Sequence, residues 1–172
     1  MQNANRLYNG IDQRIKETYI KSSTATKTSL YDMYTRFYRW AMDRLGIEGV
    51  ISMITNRSFI DSRAFDGFRR CISEDFTDCY IIDTKSDVRT NPKIAGTTHN
   101  VFGIQTGVAI MFLIKKPKEK ENALPCKIHY VTMQDDWHKD KKLQWFIENP
   151  LQKISFDIIR PDKTANWINL SD

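Results

Sequence analysis

Residues 101–114, VFGIQTGVAIMFLI, close on a run from Val108 to Ile114 in which every residue is apolar, and this run constrains the fold more than any other feature. It is rich in β-branched and aromatic residues, bounded by Gly107 and a lysine pair, and far too short to cross a membrane. It predicts a buried strand. Two further runs of the same character, VISMIT at 50–55 and CYIID at 79–83, predict strands beside it. The entry to the long run is unusual. Phe102 sits on a glycine-bearing turn just before the chain enters the core, a place where an aromatic needs a reason.

The strands alternate with helical patterns. Ile11, Ile15 and Tyr19 recur every four residues and predict a short helix. The polar stretch 22–29, SSTATKTS, predicts a loop. A longer helix is predicted over 29–45, with Leu30, Met33, Tyr34, Phe37, Ala41 and Leu45 at helical spacing. Ser29 and Asp32 give it a capping-box-like start, and Gly46 a stop. The segment 63–74 predicts another helix with Phe65, Phe68 and Ile72 inward. The polar segment 84–99, holding Pro92 and Gly96, is long enough to mark a functional loop. After the charge run 115–121 come a predicted strand at 127–133, a helix over 137–147 and a strand at 153–159. Strands alternating with helices predict an α/β sheet.

Composition acts mainly by exclusion. With 172 residues, 41% hydrophobic and 27% charged, the chain fits one globular domain. The start, MQNANRLYNG, lacks a basic-then-apolar leader, so the expected location is cytoplasmic, with no membrane partner. Three cysteines without CxxC spacing argue against a disulfide framework and a zinc site, and His99, His129 and His138 lack metal-ligand spacing. A formal net charge of +5 permits contact with nucleic acid without demanding it.

Residues 30–72, LYDMYTRFYRWAMDRLGIEGVISMITNRSFIDSRAFDGFRRCI, and 100–116, NVFGIQTGVAIMFLIKK, resemble the second half of the catalytic domain of gamma-class DNA adenine-N6 methyltransferases. The wording is closest to the single-polypeptide restriction-modification enzymes, type ISP and related helicase-linked proteins. NANRLYNGIDQRIKETY, at 3–19, resembles the segment that follows their catalytic tetrapeptide. The resemblance implies an α/β fold: a partial Rossmann-like class I methyltransferase sheet flanked by helices over 1–116. An α+β tail over 117–172 would lead towards a target-recognition domain. It also implies double-stranded DNA as partner and S-adenosylmethionine as methyl donor of the full-length protein.

Two parts of such an enzyme are not in the sequence. There is no Gly-x-Gly-x-Gly loop to hold the donor, and of five prolines no two are adjacent, so the Pro-Pro-Tyr/Phe tetrapeptide that positions adenine N6 is absent. The chain is therefore expected to be a fragment, catalytically silent alone, with weak or no affinity for S-adenosylmethionine. It would need the N-terminal half of the methyltransferase domain as a partner. Without it, an exposed sheet edge invites self-association.

The resemblance places Phe102 against one face of an extruded adenine, with Gln105 and Asn56 beside the base; enzymes that modify a base must take it out of the stack. Met33 and Phe37, one helical turn apart, align with positions lining the donor's adenine ring. Lys85, Arg89 and Lys93, on the loop, are candidate phosphate contacts. Each has a plainer reading: Phe102 as strand-start core, Met33 and Phe37 as helix core, Asn56 as a turn former, the basic residues as solvated. No residue is assigned to a metal on the methyltransferase reading. Two alternatives stay open. Asp83-Thr84-Lys85 has the D-x-K look of a Mg²⁺-dependent endonuclease, with Glu74 or Asp75 as second carboxylate. The chain could also be a non-enzymatic nucleic-acid-binding module.

Overall fold

The computed structural model describes residues 6–24, 28–88, 91, 98–117 and 125–168, with backbone only for 28 and 29. Five strands form one mixed sheet: β1 (Gly49–Asn56), β2 (Asp78–Asp83), β3 (Val108–Lys115), β4 (Lys127–Thr132) and β5 (Asp157–Ile159), in the spatial order β1-β3-β2-β4-β5. β3 is antiparallel to both β1 and β2, β4 is parallel to β2, and β5 is antiparallel to β4. The ends of β1, β2 and β4 therefore meet the beginning of β3 at one rim of the sheet. Among the described residues, four α-helices accompany it: α1 (Asn9–Ile15), α2 (Met33–Met42), α3 (Asp66–Asp75) and α4 (Lys139–Glu148).

Strand alternation divides the sheet into two unlike faces. On one, Ile51, Cys79, Ile81, Met111, Leu113 and Ile128 are buried in a common core with Ile15, Tyr19, Tyr38, Phe59, Phe68 and Ile72. On the other, Val50 and Ile54 are exposed and Ile110, Phe112 and Ile114 half-buried. From Ala109 on, the all-apolar run of β3 is thus buried at alternate residues rather than throughout. Further along this face Tyr80 stacks on His129 at 4.1 Å, and Phe156 meets both edge-on.

α2 departs most from the periodicity. It begins at Met33, with Asp32 as N-cap and no side-chain cap bond; a 3₁₀ turn, Thr28–Tyr31, precedes it. It ends at Met42, before Gly46. Its buried residues are Thr35, Arg36, Tyr38, Arg39 and Met42, while Phe37 and Trp40 face solvent. The inward stripe contains two arginines because their charges are answered. Arg36 reaches Asp12 at 2.7 Å and lies over the Tyr8 ring; Arg39 reaches Asp43 at 2.8 Å and lies over the Tyr19 ring. Burial alone would raise the Asp12 carboxyl, but the hydrogen bonds from Arg36 and the Tyr8 amide outweigh it and hold it below the ordinary value.

α1 runs into a π-helical turn, Lys16–Ile20, whose Tyr19 carbonyl meets α3. Gly67 of α3 is there by necessity: a Cβ on it would lie 1.8 Å from the Tyr19 carbonyl oxygen. Phe65, Phe68 and Ile72 point inward as predicted. The tail is part of the same body, since β4 and β5 extend the sheet. Arg69 ties it to α3, donating to the carbonyls of Ala165 (2.6 Å), Phe59 and Ser62 (both 2.9 Å), and Trp167 packs edge-on to Phe59. The helix of the tail, α4, starts at Lys139 rather than 137, and β5 has three residues rather than the seven of 153–159. All three cysteines are buried and unbridged, and burial pushes the Cys71 thiol up to about 11. No described helix is long and apolar enough to cross a membrane.

Candidate nucleic-acid interface

The rim where β1, β2 and β4 end and β3 begins is built around one carboxylate. Asp83, the last residue of β2, is completely buried. Arg57, just past β1, donates to it through Nε at 2.9 Å and Nη2 at 2.9 Å. The Tyr130 hydroxyl of β4 donates at 2.9 Å, and so does the Lys85 amide. Arg57 also pairs with Asp61 at 2.7 Å. Burial would lower the Arg57 guanidinium, but Asp83 and Asp61 together hold its pKa above the ordinary value. Burial and the neighbouring Asp83 charge push the Tyr130 phenol up, so it remains a proton donor. Gly107 lets Arg57 lie against the chain: a Cβ there would meet Arg57 Cδ at 2.5 Å.

Two loops rest on this cluster. The first leaves β2 through Thr84, Lys85 and Ser86, with Lys85 and Ser86 both in the left-handed region at φ 56° and 60°. Such backbone is uncommon without glycine, and here it is held from several sides. The Ser86 amide donates to Asp135 at 3.0 Å, and Lys142 of α4, fully buried, donates to the Thr84 carbonyl at 2.6 Å and to Ser86 Oγ.

The second loop, 98–107, leads into β3. Asn100, itself buried, folds its tip: Oδ1 accepts from the Phe102 amide at 2.9 Å, and Nδ2 donates to the Thr106 carbonyl at 2.8 Å. Gly103 takes φ 66° at the apex. The outcome is four consecutive exposed residues, Phe102, Gly103, Ile104 and Gln105, with Phe102 57% exposed. Phe102 is therefore not a core residue at a strand start. It is a solvent-facing ring on a hydrogen-bonded turn at the rim.

The other predicted residues scatter in informative ways. Gln105 is exposed beside Phe102, and its carbonyl accepts from the Val88 amide at 3.0 Å. Asn56 caps the following 3₁₀ turn, its Oδ1 accepting from the Ser58 amide and hydroxyl, which is the turn-forming role. Tyr38 Oη lies 3.4 Å from Thr55 Oγ1, so the middle of α2 reaches the end of β1 beside this rim. Phe37, 55% exposed, and the half-buried Met33 form an outward apolar stripe there and are not helix core. Lys85 is half-buried with Nζ 4.0 Å from Asp83. Arg89 and Lys93 lie outside the described residues.

The D-x-K endonuclease geometry does not form. Both Asp83 oxygens are taken by Arg57, Tyr130 and the Lys85 amide. Glu74 and Asp75 precede β2 at its opposite end, about 20 Å away along six strand residues. No group of three or more potential metal ligands occurs among the described residues. His99 stacks on His138 at 4.5 Å, which links the second loop to the start of α4. Tyr130 and Lys142 carried no functional signal in the sequence, because each acts across a long sequence gap.

Comparison with solved structures gives three close likenesses. A DrdV–DNA complex determined by cryo-EM is 43% identical, with TM-score 0.84, over 98% of this chain and 16% of that one. The ATP-dependent type ISP restriction-modification enzyme LlaBIII, bound to DNA, is 33% identical with TM-score 0.81, over 98% of this chain and 12% of that one. A nuclease-deletion mutant of the type ISP restriction-modification enzyme LlaGI, in complex with a DNA substrate mimic, is 31% identical with TM-score 0.85, over 98% of this chain and 16% of that one. The chain is thus homologous to a segment of type ISP restriction-modification enzymes and spans less than a fifth of the chains it matches. No family model and no curated protein matches it.

Proposed function

We propose that this chain is the target-base-binding segment of a DNA adenine-N6 methyltransferase in a restriction-modification system, with double-stranded DNA as its partner. The observation that carries this reading is Phe102, exposed at the sheet rim in a segment homologous to enzymes captured on DNA. The order helix, strand, helix, strand, long loop and returning strand fits the second half of such a catalytic domain.

Chemically, the segment supplies a flat apolar surface for an extruded adenine. Stacking on one aromatic contributes roughly 1–3 kcal/mol per base and is indifferent to base identity. Adenine N6 is a weak nucleophile because its lone pair is delocalised into the ring, so methyl transfer depends on in-line positioning. The groups that position N6 are those of the tetrapeptide, which this sequence lacks. S-adenosylmethionine supplies the electrophilic methyl in the full enzyme. The residues present fit it only in part: Met33 and Phe37 offer an apolar wall for its adenine, but no glycine-rich loop is present to cradle the rest. The N-terminal half of the catalytic domain would dock along the free edge of β1, beside exposed Val50 and Ile54.

A chimera tests the reading. Residues 6–168 replace the matching segment of DrdV, and transfer of labelled methyl groups to adenine in DNA is followed. Retained transfer that falls at least tenfold with Phe102→Ala supports it. A folded chimera that binds DNA but methylates no adenine, or methylates equally well with Phe102→Ala, refutes it. The 172-residue chain alone is expected to transfer none.

A further inference from the structure

Lys142 poses a question that packing does not answer. It is fully buried on α4, and among the described residues no carboxylate lies within ion-pair distance of its ammonium. Burial lowers its pKa, and the charges of Asp135, Asp83 and Asp136 offset that only in part. An apolar side chain of the same length would satisfy the core at lower desolvation cost. What Lys142 gains is two hydrogen bonds, to the Thr84 carbonyl and to Ser86 Oγ. The two acceptors flank Lys85 on the stretch that leaves β2, where Lys85 and Ser86 are left-handed.

From there the connections lead to Phe102. Ser86 Oγ donates to the His99 carbonyl at 3.0 Å, and the Lys139 amide of α4 donates to the Thr98 carbonyl at 3.0 Å. These bonds fix the start of the 98–107 loop. Its end is fixed by the other buried cluster. The Arg57 amide donates to the Gly107 carbonyl at 3.0 Å, Thr84 Oγ1 to the Val108 carbonyl at 2.6 Å, and the Arg57 side chain is gripped by Asp83, which Tyr130 also holds. Both residues that complete this brace, Tyr130 on β4 and Lys142 on α4, belong to the C-terminal segment. That segment lies outside the stretches 3–19, 30–72 and 100–116 that resemble methyltransferases.

We propose that Lys142 and Tyr130 are positioning residues, through which the C-terminal segment holds the 98–107 loop in the conformation that presents Phe102. This rests on the reading of Phe102 as a base platform, and it gives the tail a role in base binding without contact to the base. The brace takes hold at both feet of the loop, so losing either residue loosens the turn while the strands keep their own pairing.

Two measurements on the full 172-residue chain separate this inference from the reading beneath it. Amide hydrogen exchange reports the loop with no nucleic acid present. Lys142→Met is expected to speed exchange at the Phe102, Gly103 and Val88 amides at least tenfold, with β1 and β3 amides unchanged; Tyr130→Phe, isosteric and safer for folding, is expected to do the same more weakly. Loop exchange unchanged in both variants overturns the positioning role, as does a uniform rise across the sheet. Quenching of 2-aminopurine in a single-stranded oligonucleotide reports stacking. Quenching lost in Phe102→Ala and reduced at least threefold in Tyr130→Phe, with no further loss in the double variant, supports both statements. Loss in Phe102→Ala that Tyr130→Phe leaves intact overturns positioning alone. Quenching unaffected by Phe102→Ala overturns the base platform, whatever the exchange shows.

Discussion

Phe102 stands in solvent on a backbone tied down at both ends, and the tie runs through Asp83. A buried carboxylate gripped by a guanidinium, a phenol and an amide is stable only while every partner remains. Replacing Asp83 with Asn keeps the shape but leaves the Arg57 charge in the interior answered only by half-buried Asp61. Breaking a buried pair in this way costs about 3–5 kcal/mol. Asp83→Asn is therefore expected to lower the urea midpoint strongly, and an unchanged midpoint would mean the pair carries no stability. The aromatic was legible in the sequence because it broke a local pattern, a ring on a glycine turn ahead of an apolar run. The carboxylate was not. Its neighbours in sequence, Thr84 and Lys85, suggested a metal site, whereas its partners in space lie 26 and 47 residues away. Single-sequence reading sees spacing along the chain, and the brace is made of contacts across it.

At the scale of elements, existence and type were legible and faces were less so. The three apolar runs became neighbouring strands of one sheet, and helices fell where the periodicity put them. α2 shows why its face was misplaced. Two interleaved stripes have helical spacing, and hydropathy favours the one through Met33 and Phe37. The buried stripe is the other, because Asp12 and Asp43 neutralise its arginines and Tyr8 and Tyr19 cover their planes. The outward stripe is thereby released to face the rim. The packing of α3 on the π-helical turn was invisible for another reason: it is backbone against backbone, and only the absent Cβ of Gly67 records it. Gly67→Ala must displace the Tyr19 carbonyl or α3 itself. The expected loss exceeds about 2 kcal/mol by overpacking, read as a drop in thermal midpoint. Gly10→Ala, with open space around its site, serves as control and is expected to change little.

For the molecule as a whole, the helical layer and the sheet are not held alike. Carboxylates hold the N-terminal elements together: Asp12 and Asp43 pair α1 to α2, and Asp66 receives the Ser23 hydroxyl together with the Thr24 amide and hydroxyl. Burial would raise all three carboxyls, but these hydrogen bonds and cations outweigh it, so each sits below its ordinary value. Groups depressed in the folded state add stability that is complete above the unfolded value of roughly 4 and vanishes as pH falls through the folded values. The thermal midpoint should hold level from neutral pH to about 5 and fall below about 4; a midpoint unchanged down to pH 2.5 would show these pairs to be unimportant. The sheet is held differently, and incompletely. β1 has β3 on one side and, among the described strands, nothing on the other, while Val50 (61% exposed) and Ile54 (54%) lie on its open face. Ile47, Phe37 and Trp40 are further exposed apolar side chains of the neighbouring elements. Unpaired strand groups beside exposed apolar side chains form a template for another chain. Size-exclusion chromatography with light scattering is expected to show concentration-dependent association of the wild-type chain, shifted to monomer by Val50→Lys with Ile54→Lys. A lysine pair there leaves the core face of β1 untouched, so the fold persists and only the edge is closed. A wild-type chain that runs as monomer at every concentration would mean that this edge needs no partner, and the docking of an N-terminal half along β1 would lose its physical motive.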